Sequence, residues 1–359
     1  MSRSPFRPTT VPHTNKPPAE CPHCGSHTVS RKGVRKKKLE IVQLWRCASC
    51  KRIFTPGPAA LRNKTYPIPL VLQALTLYDL GYSLNQTAKR LKAKAGRAIS
   101  PTTIATWLGA HKEQTTFRRL RAEASTIYPP EQTIRSIKLY HRQIYAFAYH
   151  RSKLALMRRN PQHQRFGTLA TFLENIPSSC PHELFRREDD PKARASQARP
   201  AFADTDRIII NRKENTATAT AGLIIPGVGN NKLRHETLQN FMLANDSCTL
   251  AIEIPIWLTE DEISQLEERY GIELAPRSKM PRAITGHIDF LQVRNNAVHV
   301  LDYKPDARTN RPIAQLAIYA LALTMRVPDL KLFDIKCAWF NEEEYNEFFP
   351  RTLFAKRQI

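Results

Sequence analysis

The sequence predicts a multidomain chain: a small cysteine-knuckle module, an all-α segment, then an α/β domain built on a mixed sheet. Three observations carry this. Four of the seven cysteines fall into two close pairs, CPHC at 21–24 and CASC at 47–50. Apolar residues at helical spacing come next. Strand-like runs rich in Val, Ile and aromatics dominate beyond about residue 205.

At 359 residues the chain has room for two or three domains. No run of about 18 apolar residues occurs, so no membrane span is expected. The start is polar and Pro-rich, without an apolar leader core, which reads as cytoplasmic. In a reducing compartment, paired cysteines point to metal rather than to disulfides. The net charge of +23 is uneven: residues 1–200 hold 36 Lys/Arg against 11 Asp/Glu, while residues 201–359 hold 19 against 21. That asymmetry points to a nucleic acid held by the first half and another task in the second. A merely solubilising surface is the bland alternative.

Residues 1–20 read as a disordered basic arm. Residues 21–56 form the cysteine module: C-x2-C, 22 intervening residues, then C-x2-C. A two-residue spacer lets both sulfurs of a pair reach one ion about 2.3 Å away. Cys21, Cys24, Cys47 and Cys50 thus make a tetrahedral S4 site suited to structural Zn2+. His23 and His27 stay out because four thiolates close the shell. The strand-like KKKLEIVQLWRC entering the second pair makes the unit resemble a zinc ribbon. Arg31, Lys32, Arg35, Lys36, Lys37 and Lys38 beside it are placed for phosphate contact.

Residues 65–115 read as three helices in YPIPLVLQALTLYDLG, SLNQTAKRLKAK and SPTTIATWLGAHK. Ser83 and Ser100 can cap helix starts, and Pro101 takes the favoured first helical position. Leu84, Ala88, Leu91, Ile104 and Leu108 are spaced for one buried face. The segment resembles the helix-turn-helix of insertion-sequence transposases and invertases, with residues 100–112 as recognition helix. The resemblance implies that Thr102, Thr103, Thr106 and His111 face outward, toward the major groove of double-stranded DNA. A plain helical bundle is the competing reading, and the break before Ser100 is long for a minimal turn. Residues 116–176 read as a basic helical region, 177–204 as a Pro-containing linker, and TATAGLIIP as one of the later strands.

HIDFLQVRNNAVHVLDYK, residues 287–304, reads as a β-hairpin around the turn RNNA. Each strand should lie largely buried, yet they carry Asp289 and Asp302, and Lys304 shares a face with Asp302. Two carboxylates inside a sheet repel each other and are costly to desolvate. A divalent cation resolves this, and hard oxygen donors suit Mg2+ or Mn2+. Asp289, Asp302 and the Tyr303 carbonyl would bind it. Lys304 would hold the attacking water or the phosphate for phosphodiester hydrolysis.

Gly286-x-x-Asp289, Asp302-Tyr-Lys304 and Gln315-x-x-x-Tyr319, with His235 upstream in RHETLQNFM, resemble the PD-(D/E)XK nuclease superfamily and its RecB-like branch. The resemblance spans about residues 205–350 and implies a restriction-endonuclease-like α/β fold. It implies His235 as a further metal ligand, Asp289 and Asp302 as acidic ligands and Lys304 as catalytic lysine. Gln315 and Tyr319 look toward the site from one helix face. Glu253, in LAIEIPIW, is a weaker candidate. Cys180, Cys248 and Cys337 cannot supply the four thiolates of the iron–sulfur cluster found in some relatives, and Cys180 with His182 reads as incidental.

The expectation is a metal-dependent DNA endonuclease, targeted by its zinc ribbon and helix-turn-helix, with a mobile-element or phage connection by analogy. The alternative is a DNA-binding transcriptional or transposition regulator with a non-catalytic nuclease fold. An RNA-processing nuclease is weaker, because the front end looks like a duplex-DNA reader. Oligomeric state is left open, homo-oligomers included.

Overall fold

The computed structural model describes residues 17–36, 41–55, 66–95, 98–186, 192–198, 209–228, 231–274 and 281–354. Most of the arm expected over 1–20 lies outside these residues.

The cysteine module is a three-stranded antiparallel sheet of β1 (Val29–Lys36), β2 (Ile41–Cys47) and β3 (Ile53–Phe54). Its own small core is Cys21, Trp45, Cys47 and Phe54. Three helices follow: α1 (Ile68–Asp79), α2 (Leu84–Ala95) and α3 (Pro101–Ala110). The expected caps form. Ser100 Oγ accepts from the Thr103 amide, and Ser83 exchanges bonds with Gln86 in a capping box. Leu91, Ile104 and Leu108 are buried.

The region expected to be helical over 116–176 is partly sheet. After the short α4 (Arg121–Ile127), β4 (Ile134–His141) and β5 (Gln143–His150) form an antiparallel hairpin that joins the main sheet through β8 (Thr249–Thr259). The run QIYAFAY explains why: β-branched and aromatic side chains fit a half-buried pleated surface, and helical propensity yields to that packing. Of this region, α4, α5 (Arg151–Arg159) and α6 (Gly167–Ser179) are helical as expected. The described part of the expected linker is built in as well: β6 (Lys192–Arg194) pairs in parallel with β9 (Ala283–Arg294), and Phe185, Ala195 and Ala198 are buried.

After the short β7 (Asn211–Arg212), TATAGLIIP forms a helix, α7 (Thr216–Ile224), not a strand. Asn215 caps its start and Ala217 and Ala221 are buried, both overriding the β-branched threonines. Then come α8 (Asn231–Asn245), β8 (Thr249–Thr259), α9 (Glu260–Tyr270), β9 (Ala283–Arg294), β10 (Ala297–Tyr303), α10 (Ile313–Arg326), β11 (Ile335–Phe340) and β12 (Tyr345–Phe348). The sheet order is β4-β5-β8-β9-β10-β11-β12-β7. It is mixed: β10 and β11 run parallel, joined through α10, whereas β8, β9 and β10 are antiparallel neighbours.

Side-chain alternation sorts the sheet into two cores. Val298 and Val300 of β10 and Cys337 and Trp339 of β11 face the core that contains α6 and α10. Leu301, Tyr303, Ala338 and Phe340 face the other core, formed with α1, α2, α3, α7 and α8. The three front helices therefore share a core with the sheet rather than standing apart from it. The β9–β10 turn is the expected one: Asn295 and Asn296 both have positive φ, near +50°, as a two-residue hairpin loop requires.

Candidate active site

Asp289 and Asp302 lie one step past the last β9–β10 ladder pair, Phe290 with Leu301, so the antiparallel register sets them directly opposite each other. On the other flank, Glu253 of β8 falls between Ile252 and Ile254, which pair with Phe290 and Ile288, so it also lies opposite Asp289. Three carboxylates thus form one row across the three central strands. Side chains opposed in this way have Cβ atoms about 4.5–5.5 Å apart, and like charges there repel. Glu253 also adopts left-handed backbone, φ +52°. For a non-Gly residue that costs about 1–3 kcal/mol and persists only where the surroundings enforce it.

α8 closes the row from one side. His235 Nε2 lies 3.1 Å from Asp289 Oδ2. One turn on, Gln239 donates to Glu253 Oε1 at 2.8 Å and to the Asp289 carbonyl at 3.3 Å. On the other side, Lys304 Nζ sits 2.9 Å from Asp302 Oδ2, which is buried and has no well-aligned hydrogen bond. The Tyr303 amide donates to Asp289 Oδ2 at 3.1 Å.

Electrostatics follow from this crowding. Burial, reinforced by the charge of Asp289, pushes Asp302 well above the usual carboxylate range. Burial and the same neighbour raise Glu253 to about 7. Asp289 goes the other way: burial opposes its charge, but His235, Asp302 and Lys304 together hold it ionised. Burial likewise disfavours a charged His235, yet Asp289 lifts it to about 9. Without a cation, then, the row favours a protonated Asp302 and a charged His235 beside an ionised Asp289. The donors fit a divalent cation. Among the described residues, ligand atoms of His235, Glu253 and Asp289 all lie within 4.8 Å of one another, and Asp302 stands opposite Asp289 on β10.

Gln315 and Tyr319 take the expected shared face of α10, with Gln315 Nε2 donating to the Tyr319 hydroxyl at 2.9 Å. A Cβ at Gly286 would come within 2.5 Å of the Tyr319 ring, so glycine there lets α10 close on β9. Gln239 was not singled out from the sequence, although its four-residue offset from His235 places it on the same helix face.

The other predicted residues are divided. The four cysteines cluster, with Sγ–Sγ distances of 3.7 Å for Cys21–Cys50 and 3.6 Å for Cys24–Cys47. A tetrahedron of 2.3 Å metal–sulfur bonds has edges of about 3.8 Å, so the set can take a metal such as zinc. Arg31, Lys32 and Arg35 are exposed on β1. Lys37 and Lys38 and the side chain of Lys36 lie outside the described residues. Thr102 and Thr106 are exposed, and Thr103 is half-buried beside the Ser100 cap. His111 does not face outward: it is buried where α3 ends, because the chain turns there into the core below α8.

Among the described residues, no helix is long and apolar enough to cross a membrane. Comparison with protein-family models, with curated proteins and with solved structures finds no match to this chain.

Proposed function

We propose that the chain is a metal-dependent DNA endonuclease of the RecB-like PD-(D/E)XK type, hydrolysing phosphodiester bonds. The carrying observation is the row Glu253–Asp289–Asp302 across three strands, flanked by His235 at 3.1 Å and Lys304 at 2.9 Å. A plain scaffold has little use for a buried Asp302 beside the half-buried Asp289 and Glu253, since like charges so close repel and are costly to desolvate.

Asp289, Asp302, His235 and the Tyr303 carbonyl would hold Mg2+ or Mn2+, with Glu253 beside them. Bound there, the cation supplies positive charge to a phosphate oxygen and lowers the pKa of a coordinated water. The protein's own groups do the rest. Lys304 directs its ammonium at the position of a non-bridging phosphate oxygen or the incoming water, and Asp302 fixes it there. Gln239 orients Glu253. Tyr319 and Gln315 pack behind β9 and hold its acids at their register. Cys21, Cys24, Cys47 and Cys50 would bind a structural Zn2+, and that ribbon with α1–α3 would grip DNA through Arg31, Lys32, Arg35, Thr102 and Thr106. A mobile-element or phage role rests on the resemblance of this front end.

The test is incubation of the full chain with supercoiled plasmid and Mg2+ or Mn2+. Nicking that vanishes in Asp302→Ala is expected. Binding without nicking, identical in wild type and Asp302→Ala, would instead leave a DNA-binding regulator on a silent nuclease fold.

A further inference from the structure

A second cluster of metal-ligand side chains lies outside the acid row. His141 ends β4, and the single residue Arg142, at φ +48°, reverses the chain into β5. At the end of α6, Cys180 and His182 flank Pro181, whose φ −75° and ψ 81° with the His182 amide bonded to the Cys180 carbonyl at 2.9 Å describe an inverse γ-turn. Ligand atoms of His141, Cys180 and His182 all lie within 4.8 Å of one another. His141 and Cys180 are buried and His182 is half-buried.

We propose that His141 Nε2, Cys180 Sγ and His182 Nδ1 form a second transition-metal site, of the class that takes Zn2+, with one coordination position open. The outer contacts are those such a site requires. A ligating imidazole uses its second nitrogen to donate to a fixed acceptor, which sets ring orientation and tautomer. His182 Nε2 faces the Pro177 carbonyl at 3.1 Å. His141 Nδ1 faces Nε2 of His287 at 3.0 Å. His141 is stacked on Phe185, with ring centroids 4.0 Å apart, and His287 on Tyr145 at 3.6 Å, so neither ring is free to swing away.

Metal-free, His141 Nε2 and His182 Nδ1 share one hydrogen bond of 2.7 Å. Two nitrogens on tetrahedral zinc stand about 3.3 Å apart, so binding asks the pair to part by roughly half an ångström. The change is balanced. The Cys180 thiol releases its proton to solvent, the proton between the two imidazoles moves to His141 Nδ1, and the His287 proton moves from Nε2 to Nδ1, leaving that Nε2 free to accept from His141. The metal would clasp the β4–β5 hairpin and the end of α6 to β9, two residues before Asp289. The proposal is independent of the nuclease reading.

The test uses the full chain with Cys21, Cys24, Cys47 and Cys50 all replaced by Ser, which removes the ribbon cluster, loaded with Co2+. A thiolate-to-cobalt absorption band is expected, lost when Cys180→Ser is added, because no described carboxylate site contributes sulfur. No such band overturns the proposal. Should the ribbon variant fail to fold, wild type and Cys180→Ser are compared directly. Loss of about one fifth of the thiolate band is expected, from five metal-bound sulfurs to four. Equal bands mean that His141, His182 and His287 are a hydrogen-bond chain only, and the site is withdrawn.

Discussion

Lys304 is held by a buried carboxylate at 2.9 Å, on the strand that also carries that carboxylate. Removing its ammonium takes away charge aimed at the reacting phosphate while leaving the basic front end intact. Lys304→Ala should therefore lower the nicking rate by about 100- to 1000-fold and leave DNA affinity nearly unchanged, read by plasmid relaxation beside a binding titration. A parallel loss of affinity would show that the two roles are not divided. A second residue-scale effect lies away from the site. Asp79 is buried with both oxygens unbonded, 3.9 Å from Arg118, and burial raises it to about 7. The unfolded chain ionises it near 3.8, so between those values unfolding releases a proton. Stability from this group therefore falls as pH rises from about 4 to 7, and the loss is complete above 7. Asp79→Asn should raise the unfolding free energy read from urea titration at pH 8, by at most about 4 kcal/mol, and change little near pH 4. An equal gain at both pH values would refute the assignment.

Elements set the registers on which the acid row depends. The β9–β10 turn needs two residues at positive φ, and Asn tolerates that where a β-branched residue does not. Asn295→Val should cost about 1–3 kcal/mol in chemical denaturation, whereas Asn295→Gly should stay close to wild type. Behind the hairpin, Gly286 admits the Tyr319 ring at a distance no Cβ allows. Gly286→Ala should destabilise by about 1–3 kcal/mol through overpacking. It should also weaken nicking by displacing β9; unchanged stability would mean that α10 can retreat freely. The hairpin and its acids were legible in the sequence because strand alternation and turn chemistry are local. The α7 and β4–β5 segments were not: Thr- and Ala-rich TATATAG and aromatic QIYAFAY have ambiguous periodicity, and the neighbouring surface chose between helix and strand.

At the scale of the molecule, α1, α2 and α3 are built into the sheet's second core, where Leu72, Leu75 and Ile104 meet α8 and Phe290 with the rest of that cluster. The cysteine module, by contrast, has a core of its own. A chain beginning near residue 60 should keep a cooperative unfolding transition by circular dichroism. One beginning near residue 116 should lose it, because it strips a large apolar face. Equal cooperativity in both would mean the front helices are dispensable. Sequence by itself determined the cysteine spacing, the charge asymmetry, the helix caps and the identity of the paired acids, because each depends on residues close in the chain. Only the tertiary structure decided that Glu253 joins the acid row, that Gln239 braces it, that His111 is buried, and that His141 meets Cys180 and His182. Those meetings depend on strand register and on how helices settle against the sheet, and both are fixed by packing between segments far apart in sequence.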